Sequence, residues 1–258
     1  MKMAWIRAFE YKATVYGFRL GNIVEILFQV VIWTAIYKST AMVNGYTYND
    51  MMTYVIIGWL FISVTQNYGM DDVIGRDIRQ GTLSAYLLKP LSYLRYSVLY
   101  SLGRVSLATF SGVVIQGFFI LIFYKHVLPP SSVLNIFLIL VMVFLGYFIR
   151  LFLSIAIGAI AFWTTETDGL FSFASTLIKF LSGGFFPLNL LPNSLVSLSS
   201  FFPFAYIIFF PTQLYLGKIS TNQGLIGIGV EVLWLIGLYG IIKFVWKKGI
   251  KIYEGVGI

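Results

Sequence analysis

The stretch Asp77-Ile78-Arg79-Gln80-Gly81-Thr82-Leu83-Ser84-Ala85-Tyr86-Leu87-Leu88-Lys89-Pro90-Leu91-Ser92 is polar and helix-forming, and it lies between two strongly hydrophobic segments. A chain built to sit in a bilayer has no packing reason to keep such a segment outside it, so a soluble partner is expected to dock there. Gly81 can adopt a backbone conformation that ends one helix and lets another begin. Leu83, Leu87 and Leu88 then read as an apolar stripe flanked by Arg79 and Lys89. A short helix of that kind seats in a groove of a partner, and Pro90 ends it.

Working outward, the 258 residues are 59% hydrophobic and 11% charged, well below the roughly 25% charge of an average soluble domain. Several segments supply the roughly 20 apolar residues that a helix needs to cross hydrocarbon. The net charge of +8 comes from basic residues beside apolar spans, where they set orientation and meet anionic headgroups, so nucleic acid is not an expected partner. Cysteine is absent and His126 is the single histidine, which removes disulfides, thiol chemistry, Cys/His metal sites and almost every histidine-based triad. The sequence also lacks a Gly-x-x-x-x-Gly-Lys-Ser/Thr loop, so no bond chemistry, catalytic residue or bound cofactor is expected of this chain.

Ile6, Phe9, Ala13, Tyr16 and Leu20 recur at spacings of three and four, which predicts an amphipathic interfacial helix over 1–19. Spans are expected over 20–37, 51–68, 97–124, 133–163, 170–186 and 224–246, with Thr167 or Asp168 capping the fifth. The segment 187–216 is apolar but broken by Pro187, Pro192, Pro203 and Pro211. Broken helices survive at membrane depth only under a cover of protein or beside water. Lys/Arg residues cluster at 1–19, around 76–104 and in the tail, whereas the alternate loops carry Lys38, Lys125 and Lys218 singly. By the positive-inside rule both termini and the insert are cytoplasmic, which requires an even number of crossings. The expectation is an all-α polytopic protein, a single domain over 1–258. It has six transmembrane helices, a cytoplasmic coupling segment over 71–92 and an outer re-entrant hairpin over 187–216.

That layout resembles the permeases of type-2 ABC transporters. The sharpest local likeness is Arg79-Gln80-Gly81-Thr82-Leu83 followed by Leu87-Leu88-Lys89-Pro90-Leu91-Ser92. A second is Leu191-Pro192, Phe202-Pro203-Phe204 and Pro211, ending in Leu214-Tyr215-Leu216-Gly217. Two departures stand out: Ser84 replaces the usual acidic residue after Gly-Thr-Leu, and Asp77 stands in for the usual preceding glutamate. The resemblance implies ATPase coupling through Arg79, Gly81, Thr82, Leu83, Leu87, Leu88, Lys89 and Pro90. It further implies partner ATPase subunits that carry ATP and Mg²⁺, a second permease subunit, identical or homologous, and the inner (cytoplasmic) membrane as the location. The implied activity is export of a hydrophobic or amphipathic cargo (drug-like, lipid-linked or peptide).

Glu25, Arg150, Lys179 and Glu231 fall inside the expected spans, where ionisable residues are costly and pair with one another or face a cavity. A structural pair of Arg150 with Glu25 or Glu231 is expected. Lys179, Gln66 and Asn67 are candidates for a polar pathway lining, and Gly183-Gly184-Phe185-Phe186 reads either as a flexible neck and outer gate or as an ordinary helix end. The rival reading is a secondary transporter that uses the intramembrane charges without an ATPase partner.

Overall fold

The computed structural model describes residues 12–66, 69–90 and 92–255, and among these the only strand-like feature is a bridge between Val43 and Tyr46. The helices are α1 (Lys12–Ile36), α2 (Tyr48–Thr65), α3 (Met70–Arg79), α4 (Leu83–Leu87), α5 (Tyr93–Ile122) and α6 (Val133–Gly158). A 3₁₀ turn, Ala159–Phe162, extends α6, and α7 (Asp168–Leu181) follows. After a second 3₁₀ turn, Leu188–Leu190, come α8 (Asn193–Phe201), α9 (Phe204–Ile207), α10 (Phe209–Tyr215) and α11 (Thr221–Ile252).

Four of the helices start on hydroxyl caps that occupy N–H groups with no partner inside the helix. Thr47 and Ser220 form reciprocal capping boxes with Asp50 and Gln223. Ser92 and Ser132 accept from the backbone N–H groups of Arg95 and Asn135. Thr167 does stand at the start of α7, but its side chain makes no capping bond.

Among the described residues four helices are long and apolar enough to cross a membrane: Arg19–Ile36, Tyr93–Ile122, Val133–Phe162 and Thr221–Ile252. Their outer faces fit lipid. Leu20, Val24, Leu27, Phe28 and Val31 on α1, and Phe110, Val113, Val114, Phe118 and Leu121 on α5, are exposed at three- and four-residue spacing. The chain is a membrane protein.

The expected spans 51–68 and 170–186 take a different form. Helix α2 is walled in by protein, with Met51, Ile56, Trp59 and Ile62 all buried, so it has room for Asn49, Asp50 and Thr53 near its start. Helix α7 has 14 residues, about 21 Å at 1.5 Å each. It stops at Leu181 because Gly183 takes a left-handed conformation (φ +80°) and the chain turns away. Of the expected interfacial helix, residues 1–11 lie outside the described residues, and 12–19 continue without a break into α1.

The loops and the carboxyl-terminal end of α11 sort into two groups. At one end Tyr37 donates to the Tyr46 carbonyl (2.7 Å), Tyr215 to that of Leu128 (3.1 Å) and Lys218 to that of Gly45 (2.8 Å). His126 meets Asn49 there at 3.0 Å. At the opposite end Arg79 donates to the Thr165 carbonyl (3.1 Å), and Ser84 meets the Tyr253 hydroxyl (3.2 Å). The insert, the 163–167 turn and the carboxyl-terminal end of α11 therefore share an end, and the loops bearing Lys38, Lys125 and Lys218 lie at the other.

The bundle closes around α6, which packs along α11 and receives α3 at its last turns. Small residues permit this. A Cβ on Gly158 would stand 2.8 Å from the Asp71 carbonyl oxygen and 2.9 Å from the Ile74 Cβ, and one on Gly146 3.3 Å from the Ile207 Cα. Alanine ordinarily favours a helix over glycine by up to about 1 kcal/mol, whereas overpacking costs about 1–3 kcal/mol. Gly158→Ala is therefore expected to lower the melting temperature of the purified chain by several degrees. Gly237→Ala, where nothing lies within 4 Å of the added carbon, is expected to hold or raise it. Equal melting temperatures for the two variants would mean that α3 is not seated tightly on α6.

Candidate functional site

The insert is not a free loop. Met70, Ile74 and Ile78 recur every four residues on α3 and are buried against α6 together with Leu151, Ile155 and Ala159. Helix α3 ends at Arg79, and Gly81 (φ +73°) turns the chain into the single turn of α4. Asp77 ties the corner together: its Oδ1 accepts from the Thr82 hydroxyl (3.0 Å) and its Oδ2 from the Tyr93 hydroxyl (2.5 Å). One carboxylate thus joins the end of α3, the start of α4 and the start of α5.

Aromatic rings continue the connection. Tyr93 stacks on Trp246 of α11 (centroids 5.2 Å apart, planes at 11°), and Trp246 meets Phe162 edge-on at 5.3 Å. Tyr86 of α4 packs against Tyr93 and Tyr96 at 5.3 and 4.7 Å, and its hydroxyl donates to that of Tyr96 (3.2 Å). Ser84, in the place of the acidic residue, bonds Tyr253 beyond the end of α11.

The continuous leucine stripe is not what forms. Leu83 is wholly buried in the core under the insert, because the first turn of α4 faces α3 and α5. Leu87 is 43% exposed and Leu88 89% exposed. Lys89 lies over the Tyr86 ring at 4.7 Å and, with Leu87 and Pro90, lines an open depression of about 370 Å³. A second depression, about 320 Å³, is bordered by Arg76, Arg79, Gln80 and Thr165. The surface available to a partner is thus Leu87–Pro90 and the Arg79 side of the corner, whereas Gly81, Thr82 and Leu83 hold it in place.

The intramembrane charges pair differently from expectation. Glu25 is bound by Lys179, so α1 is joined to α7. Arg150 donates to Ser175 (3.0 Å) and Ser154 (3.4 Å) and interacts electrostatically with Asp71. Burial pushes the Asp71 carboxyl above its ordinary range, and the Arg150 charge pulls it back. The two oxygens of Glu231 are buried with no hydrogen-bond partner among the described residues, so the alternative Arg150–Glu231 pair is not formed. Arg150 reaches Asp71 because Gly158 lets α3 close onto the end of α6, a contact that spacing along the chain does not reveal.

The pathway candidates separate. Lys179 lies 4.5 Å from the Trp59 centroid and 4.9 Å from that of Phe185. Gln66, exposed at the end of α2, is seven residues from Trp59, about 10 Å along the axis. Asn67 lies outside the described residues. Phe186 packs edge-on against Phe180 at 5.6 Å. Gly183 and Gly184 close α7 in a Schellman motif, with Gly184 N–H on the Lys179 carbonyl (2.9 Å) and Gly183 N–H on that of Phe180 (3.1 Å). Of the two readings of this glycine pair, helix termination is the one its geometry carries.

A family model described as ABC-2 family transporter protein matches residues 23–257, nearly the whole chain. The chain belongs to the ABC-2 family of transporter proteins. As an ABC-2 protein it is the membrane subunit of an ABC transporter, a kind that associates with an ATPase subunit. No curated protein and no solved structure matches it.

Sequence reasoning singled out the insert but missed what holds it: Tyr93, Trp246, Phe162 and Tyr253. The available signal was the run Tyr86, Tyr93, Tyr96 and Tyr100, too dense in tyrosine for an ordinary lipid-facing helix start. A hydrogen bond to a charged group contributes about 1.5–3 kcal/mol. Tyr93→Phe is therefore expected to leave the bundle folded while raising amide exchange over residues 80–92 about tenfold or more. Unchanged exchange there would show that Asp77 does not hold the corner.

Proposed function

We propose that this chain couples ATP hydrolysis on partner subunits to export of a hydrophobic or amphipathic cargo. In this reading α1, α2, α5, α6, α7 and α11 are six crossings, 187–216 is an outer re-entrant hairpin, and both termini face the cytoplasm across the inner membrane. Two copies, or this chain and a homologous one, enclose the route, and 71–92 is the coupling segment that meets the ATPase. ATP and Mg²⁺ are held by the ATPase pair, and this chain carries out no bond chemistry. Lys179, Gln66, Asn67, Phe185 and Phe186 contribute to the route or its gate.

One observation supports the coupling role above the others. The corner that leaves Leu88 bare is tied through Asp77 to α5 and through Ser84 and Tyr86 to the rings beside α11. A large apolar side chain at the tip of a braced element is what a partner groove would grip. Displacement of that tip reaches two long helices at once, and the basic last turns of α11 lie on the same side, as an inward-facing surface would.

The test is purification in mild detergent after expression with the neighbouring genes, followed by mass identification of co-eluting proteins. Wild type is expected to bring an ATPase, and Leu88→Glu to lose at least nine-tenths of it at unchanged melting temperature. Leu83→Glu is expected to unfold the corner instead, since that side chain is buried. An ATPase retained in full by Leu88→Glu would overturn the role of Leu88 in the contact, and absence of an ATPase from the wild type would move the secondary-transporter reading to first place.

A further inference from the structure

The loop between α1 and α2, at the end of the bundle opposite the insert, carries a tight turn. Val43 and Tyr46 exchange both backbone bonds (3.0 and 2.9 Å) around Asn44 and Gly45, whose φ angles are +46° and +80°. Two left-handed residues in succession make a reversal whose shape the backbone itself fixes, and Asn-Gly is a pair well suited to it. Tyr46 closes the turn and is wholly buried, although it follows an exposed loop tip. A stiff turn that drives one large side chain inward has the form of a clip.

What it grips is the proline-broken segment. The Tyr46 hydroxyl donates to Asn189 Oδ1 (3.0 Å) and accepts from Gln213 Nε2, and Asn44 Nδ2 donates to the Asn189 carbonyl. Asn189 belongs to the 3₁₀ turn before α8 and Gln213 to α10, so one hydroxyl joins the two arms of that segment. Lys218 covers the Tyr46 ring, donates to the Gly45 carbonyl (2.8 Å) and meets Asp50 at the start of α2 (3.4 Å). Beside the clip, Leu188 is buried against Tyr54, Ala205 and Phe209.

The helix that follows Asn189 is held far less firmly. Helix α8 packs on the 188–190 turn and on α9, leaves Leu195, Leu198 and Phe201 exposed, and meets α11 where the Trp234 indole N–H donates to the Phe201 carbonyl (3.2 Å). Helices α9 and α10, by contrast, are buried against α6. Elements with few buried apolar contacts open first, and Pro192 and Pro203 separate α8 from its neighbours, so it can move without unwinding α9. We propose that the 43–46 turn is a clip that keeps α8 docked as a lid, and that withdrawal of Tyr46 from Asn189 frees residues 191–202 while α9 and α10 stay on α6. The clip stands on these contacts alone, and its use in transport, as a latch on the exit side, rests on the reading of 187–216 as the outer hairpin.

The test is amide hydrogen exchange of the full-length chain in lipid nanodiscs. Tyr46→Phe keeps the ring and removes the hydroxyl that makes two hydrogen bonds, and it is expected to speed exchange over 191–202 about tenfold with α6 and α11 unchanged. The sequence has no cysteine, so Asn44→Cys/Asn189→Cys places the only two thiols on the two sides of the clip. That variant is expected to exchange faster than wild type over 191–202, and slower than wild type once a short bifunctional maleimide bridges the thiols. Unchanged exchange in Tyr46→Phe, or a bridge that fails to slow 191–202, would overturn the clip. A rise spread evenly over all helices would overturn it too, because that is general loosening and not release of a lid. Neither readout uses an ATPase or a cargo, so its failure is distinct from failure of the co-purification test.

Discussion

Backbone N–H and C=O groups in hydrocarbon must find their partners within the protein, and each break in a helix at depth is a place where that constraint is hardest to meet. The end of α7 meets it at Lys179, Ser182 and Gly183. The Lys179 carbonyl accepts from Gly184 N–H and the Ser182 hydroxyl, the Ser182 carbonyl from Phe209 N–H (3.0 Å), and the Gly183 carbonyl from the Tyr54 hydroxyl (2.7 Å). Gly183 is required twice over, for its positive φ and because a Cβ would stand 2.6 Å from the Tyr54 oxygen. With these groups answered, the chain can turn into the proline-broken segment without exposing bare backbone, and α9 and α10 can pack on α6.

The same rule acts on side chains. Lys179 and Glu25 neutralise one another across α7 and α1, and Arg150 is shared between two serines and the charge of Asp71. These pairs join elements that hydrophobic packing alone would leave free to slide. The Asp71 contact ties the insert to α6 and so ties the corner to the bundle's densest seam. Near the opposite end Gln213 reaches the Tyr46 hydroxyl and Lys218 covers the Tyr46 ring at 4.4 Å, so that end is closed by polar contacts too.

What the sequence made legible was what depends on composition and local spacing. The all-helical class, the four long apolar helices and the long fourth helix follow from runs of apolar residues, whereas the glycine pair at 183–184 leaves a flexible neck and a helix end equally open. The ABC-2 family was legible because Gly81-Thr82-Leu83 and Leu87-Leu88-Lys89-Pro90 lie close together. What was not legible depends on which residues the fold brings together across long separations. Lys179 had no partner in view because Glu25 lies 154 residues away. Leu83 looked equivalent to Leu87 on a helical wheel, yet a five-residue helix is placed by its neighbours and not by its own periodicity. Trp246 is likewise placed by the assembly, its ring buried between Tyr93 and Phe162.

On the proposed reading the insert has to carry force from an ATPase. A helix of one turn has no stability of its own, since nucleation costs more than a few backbone bonds return. The order of α4 is therefore supplied by Asp77, the Tyr86–Tyr93–Tyr96 cluster and the Ser84–Tyr253 contact. A load applied at Leu88 cannot be absorbed by unwinding α4 alone, because these contacts hold it to α5 and α11. On the proposed reading, the substitution of Ser84 for an acidic residue is then part of the design of this chain. The Ser84 hydroxyl binds the Tyr253 hydroxyl and so joins α4 to the end of α11.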